Sequence, residues 1–131
     1  MAELINTSSS HKSTTFKPLG QHLLAEFHEC DSIVLNDLKK LESIMLNAAE
    51  IANATVIKSV FHPFSPVGVT GVVVVMESHL SIHTWPEHKY AAVDIFTCGD
   101  NMELEKAYHF IAEQLLSKEH VFQTIIRGNN T

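Results

Sequence analysis

The run Val67-Gly68-Val69-Thr70-Gly71-Val72-Val73-Val74-Val75-Met76-Glu77 is apolar or small on both of its alternating faces. Val67, Val69, Gly71, Val73 and Val75 share one face; Gly68, Thr70, Val72, Val74 and Met76 share the other. A strand over residues 67–77 with two such faces must be covered from both sides. Upstream, Leu38, Leu41, Met45, Ala48, Ala49 and Ala52 recur at helical spacing behind Asn36, a good N-cap, and predict a helix over 37–53. Strands are expected over 19–29, where Leu23, Ala25 and Phe27 alternate with His22, Leu24, Glu26 and His28, and over 55–64, which stops at Ser65-Pro66. Downstream, Leu80, Ile82 and Thr84 alternate with His79, Ser81, His83 and Trp85 in a short strand ended by Pro86. A strand over 89–98, a helix over 102–117 and a last strand over 121–126 complete the set.

Six strands and two helices joined by several hairpin-length links predict an α+β fold. It is a two-layer sandwich, an antiparallel sheet with both helices on one face. The helices cannot also cover the other face. The pattern of residues 67–77 therefore predicts sheet-on-sheet packing between two copies, a homodimer with four layers, helix-sheet-sheet-helix.

The 131 residues make a single domain over 18–131. Residues 1–17, rich in Ser and Thr with little to bury, read as a disordered leader. With 15 acidic against 9 scattered basic residues, the net charge of -6 disfavours a nucleic-acid surface and suits a small cationic ligand. Two cysteines, Cys30 and Cys98, make no disulfide framework, and neither a secretory signal nor an apolar run of membrane-spanning length is present. These features predict a reduced, cytoplasmic protein with no membrane partner.

Ser78 follows the long apolar strand, His83 lies five residues on, and Cys98 stands near the end of the next strand. Together they could supply a nucleophile, a base and a proton donor. Each also has a plainer reading: a turn serine, a core histidine, a small buried thiol. Phe64 and Trp85 are, taken singly, core residues. His79 and His83, with His88 beyond, invite a zinc reading. Spacing of i, i+4 on a strand separates the rings by roughly 13 Å, too far for one tetrahedral ion. That spacing leaves no metal expected, and with no Gly-rich phosphate cradle present pyridoxal phosphate is not expected either.

The run Glu77-Ser78-His79-Leu80-Ser81-Ile82-His83-Thr84-Trp85-Pro86-Glu87 carries a family likeness. With Phe61-His62-Pro63-Phe64-Ser65-Pro66-Val67-Gly68-Val69-Thr70 upstream and Phe96-Thr97-Cys98-Gly99 downstream, it resembles the short prokaryotic S-adenosylmethionine decarboxylases. That resemblance implies a proenzyme that cuts itself between Glu77 and Ser78 into fragments 1–77 and 78–131, leaving a pyruvoyl group at position 78. It implies that the pyruvoyl forms a Schiff base with the substrate amine and serves as electron sink, the task of pyridoxal phosphate elsewhere. By the same likeness His83 is the processing base and Cys98 the proton donor. Thr70 stands where many relatives carry serine, and would help processing. Phe64 and Trp85 would meet adenine or the sulfonium, and Glu87 the ribose hydroxyls. The product would supply the aminopropyl donor for spermidine and other polyamines. Two alternatives stay open: a pyruvoyl-dependent arginine or ornithine decarboxylase with the same Ser78, His83 and Cys98, and an inactive regulatory homologue.

Overall fold

A computed structural model of the chain describes residues 18–98 and 101–128. The expected leader lies outside the described residues, as does Gly99. Strand β1 (Gly20–His28) buries Leu23, Ala25 and Phe27 and leaves His22, Leu24, Glu26 and His28 on its other face. A one-turn helix α1 (Ser32–Leu35) follows, capped by Asp31, whose Oδ1 accepts the N–H groups of Ile33 at 2.8 Å and Val34 at 3.1 Å. Four residues are too few for periodicity to reveal, so no helix was expected there. The main helix α2 (Leu38–Ile51) is capped by Asp37, not Asn36: Asp37 Oδ1 accepts the Lys40 N–H at 3.1 Å. Asn36 is already committed, because it ends α1 and its Oδ1 accepts the Gly68 N–H at 2.9 Å.

The remaining elements are β2 (Val56–Pro63), β3 (Val69–Val75), β4 (Ser78–Trp85), a 3-10 turn (Pro86–His88), β5 (Tyr90–Thr97), α3 (Leu104–Gln114) and β6 (Glu119–Arg127). They form one sheet in the order β2-β3-β4-β5-β1-β6, every neighbouring pair antiparallel. Helices α2 and α3 contact each other and lie on one face. There Leu41, Met45 and Ile111 meet Leu23, Phe27, Val73, Leu80, Ile82 and Ile95 in a single core. Each such large side chain contributes about 1.5–3 kcal/mol on burial. Among the described residues no helix is long and apolar enough to cross a membrane.

The expected two layers are therefore present. Strand β3 is shorter than the pattern implied, since Val67 and Gly68 belong to the turn before it. Gly68 has φ of 106° and its carbonyl accepts the Phe64 N–H at 2.8 Å, a conformation in which a side chain would be strained. Within β3 the ring of Phe61 lies across Gly71, 2.0 Å from where a Cβ would stand. Among the described residues only the Val69, Gly71, Val73, Val75 face is covered; on the other, Val74 is 38% and Val60 61% exposed.

Candidate active site

Position 78 opens β4, directly after the two-residue turn Met76-Glu77 that joins it to β3. Ser78 has φ of 153°, a region that residues bearing a side chain rarely enter and that costs about 1–3 kcal/mol. The carbonyl oxygen of Glu77, one bond upstream, accepts the backbone N–H of Cys98 at 2.9 Å. Ser78 pairs with Thr97 across the β4–β5 ladder, which sets Cys98 beside the Glu77-Ser78 peptide. Cys98 is exposed, so the plain reading of a buried thiol does not apply to it. It does apply to Cys30, which is buried and whose thiol is pushed up to about 11 by that burial, against a weaker opposing effect of Ser117.

His83 is paired with Thr70 instead. The two face each other across the β3–β4 ladder, with Thr70 Oγ1 and His83 Nδ1 3.0 Å apart and hydrogen-bonded. Five residues of extended strand put His83 about 16 Å from Ser78. The structure thus brings Glu77, Ser78 and Cys98 together at one end of the sheet and Thr70 with His83 towards the other, without joining the two groups in one chain.

The three residues assigned to substrate lie at the His83 end. Phe64 follows β2 and is 52% exposed; Trp85 ends β4 and is 41% exposed, so neither is a core residue of the chain. Trp85 lines a cavity of about 440 Å³ with Glu26, His28, His88 and Tyr90. Glu87 lies on the other side of the 3-10 turn, in a cavity of about 680 Å³ beside Asn36, Val67 and Pro86. The turn that starts at Pro86 separates the two side chains, which a strand reading of the motif did not foresee.

The family model described as S-adenosylmethionine decarboxylase matches residues 21–128. The chain belongs to the S-adenosylmethionine decarboxylase family. It is 53% identical over 112 residues to the S-adenosylmethionine decarboxylase proenzyme of Pelotomaculum thermopropionicum, covering 86% of this chain and 89% of that one. To the proenzyme of the same name from Thermosipho africanus it is 52% identical over 108 residues, 82% of this chain and 83% of the relative. In structure it resembles the adenosylmethionine decarboxylase of Aquifex aeolicus VF5 at 39% identity with a TM-score of 0.81, covering 88% of this chain and 96% of that one.

All the candidate residues of this family member fall inside the matched span. Sequence reading missed several groups beside them. Tyr90 stacks between Trp85 and His28, with ring centroids 5.3 and 5.1 Å away, and its hydroxyl donates to Glu26. Burial first, and Glu26 second, push the Tyr90 phenol up to about 12. Nearer Ser78, His22, His79 and Phe96 form a ring cluster on the uncovered face, with the Arg127 guanidinium 4.9 Å from the Phe96 centroid. Burial lowers the His22 pKa, Asp94 opposes that shift, and Arg127 and His79 reinforce it. Alternation did set His22, Glu26 and His28 in one row of β1 and His79 in one row of β4; their partners across the sheet become visible only with the strand order. Among the described residues no group of three or more His, Cys, Asp or Glu side chains could hold a metal ion.

Proposed function

We propose that this chain cuts itself between Glu77 and Ser78 and that the mature protein decarboxylates S-adenosylmethionine with a pyruvoyl group made from Ser78. The observation that carries this reading is the Cys98 N–H held 2.9 Å from the Glu77 carbonyl oxygen, next to a residue in a strained conformation. That N–H draws density from the carbon that Ser78 Oγ attacks and supports charge on the oxygen as the tetrahedral state forms. The acyl group passes from nitrogen to Oγ, and the hydroxyl proton ends on the freed amine. Loss of the Ser78 α-proton then expels the Glu77 carboxylate, and water hydrolyses the dehydroalanine to pyruvoyl and ammonia. The finished carbonyl supplies the sink for the electron pair left on the substrate when carbon dioxide departs. Cys98, exposed and fixed beside position 78, delivers the proton that replaces the carboxyl group. With the His83 end of a second copy set over position 78, as argued below, Phe64 and Trp85 of that copy offer aromatic faces to adenine or the sulfonium and Glu87 an acceptor to the ribose hydroxyls, and the product serves as an aminopropyl donor in polyamine synthesis.

Intact mass and labelled carbon dioxide test the reading together. Fragments 1–77 and 78–131 are expected, with release from carboxyl-labelled S-adenosylmethionine far above that from arginine or ornithine. Phe64→Ala or Trp85→Ala raises KM about tenfold or more. A whole chain without release overturns the proposal; release from a basic amino acid alone overturns the substrate.

His83 cannot serve Ser78 of its own chain across about 16 Å of strand. A homodimer packed sheet on sheet, with its strands antiparallel across a two-fold axis, sets the His83 end of one copy over the Ser78 end of the other. It also covers Val60, Val72 and Val74. Co-expression of Ser78→Ala and His83→Ala chains is expected to restore cleavage of the His83→Ala chain, which alone cleaves at least about 100-fold more slowly than wild type. Wild-type cleavage by His83→Ala alone, or no rescue on mixing, contradicts the arrangement.

A further inference from the structure

The regular pairing of β2 with β3 ends at Val56 and Val75. One step further, the Met76 N–H still donates to the Thr55 carbonyl at 2.9 Å. In an antiparallel ladder the return bond from Thr55 would go to a main-chain carbonyl. Here a side chain takes it: the Thr55 N–H donates to Glu77 Oε1 at 3.1 Å. Glu77 is therefore held from two strands. Its carboxylate is tied to the residue before β2, its carbonyl to the residue after β5, and Ser78 with φ of 153° follows at once.

We infer that Thr55 and the Glu77 carboxylate form a positioning device for self-cleavage. A residue stays in a sparsely populated conformation only where its surroundings over-determine it. The Cys98 N–H fixes one point of the Glu77 residue; the Thr55 N–H fixes a second, and two points stop the Glu77-Ser78 peptide from swinging into a relaxed turn. A charged acceptor makes the second tether stronger than a neutral one, and attack by Ser78 Oγ is sensitive to small displacements. The carboxylate acts by its place in the ladder, through an oxygen that accepts a main-chain proton. This role rests on the self-cleavage proposed above.

The test follows cleavage of freshly synthesised precursor, made in a cell-free system, by intact mass against time. Glu77→Ala is expected to cleave about tenfold more slowly than wild type, and Glu77→Gln, whose amide oxygen can accept the same bond, to recover most of that loss. Thr55→Pro removes the N–H and slows cleavage by a similar factor relative to Thr55→Ala, which keeps it. The double variant Glu77→Ala/Thr55→Pro should be no slower than the slower single, because both remove one bond. A purely structural effect would lower the melting temperature and let the two losses multiply. Undiminished cleavage in Glu77→Ala, absence of recovery in Glu77→Gln, or multiplying losses each overturn the inference while leaving self-cleavage standing. Should Thr55→Pro fail to fold, the Glu77 pair still decides. A wild-type precursor that stays whole overturns both.

Discussion

Ser78→Ala is expected to remain one chain of full mass and to release no carbon dioxide from S-adenosylmethionine above background. Alanine lacks the hydroxyl that takes the acyl group from the peptide nitrogen, so the amide between residues 77 and 78 survives and no carbonyl forms at position 78. Complete loss is expected because no other described side chain competes for the proposed role: the Glu77 carbonyl is aligned by the Cys98 N–H, and Ser78 is the residue joined to it. The fold should be kept. Ser78 is half-buried outside the main core, and alanine meets the same φ of 153° as serine. Circular dichroism and a melting temperature close to that of wild type check this, and intact mass checks the chain. Two fragments from Ser78→Ala would place the cut elsewhere.

Cys98→Ala separates the two halves of the mechanism. The group that holds the Glu77 carbonyl is the Cys98 main-chain N–H, which alanine retains, so fragments 1–77 and 78–131 should still appear. In the proposed mechanism the thiol is needed only after carbon dioxide has left. Without it turnover is expected to fall about 100-fold or more, and protonation at the wrong atom should consume the pyruvoyl, so that activity dies away over successive cycles. Mass spectrometry of the 78–131 fragment during turnover reads both effects. Full turnover in a fully processed Cys98→Ala protein would remove the thiol from the mechanism.

The sheet was legible from residues 67–77 because alternation is a local signal: Val69, Gly71, Val73 and Val75 are the buried face that their spacing implies. The Glu77–Cys98 bond was not, since it joins residues 21 apart and depends on the register of β4 with β5. Asn36 was a sound cap by its type, but Gly68, from the turn after β2, claims its side chain. The distance between Ser78 and His83 was in principle readable. Strand rise kept His79 and His83 from sharing one ion, and over five residues the same rise keeps Ser78 and His83 apart. Alternation placed Trp85 with the polar row of β4; the turn that carries Glu87 into a different cavity has no such period.

The strand order β2-β3-β4-β5-β1-β6 bears on what a cut chain would be. Strands β1, β2 and β3 precede Glu77, and β4, β5 and β6 follow it. The two pieces are interleaved: β1 runs between β5 and β6, hydrogen-bonded to both, while β3 borders β4. Parting them would mean unzipping three ladders and splitting the core in which Leu41 and Met45 of one piece meet Ile111 of the other. Each piece clasps the other. Severing the backbone at position 77 would thus free two chain ends to move while the body stays assembled, and a catalytic carbonyl built at the tip of β4 would be anchored by the whole sheet.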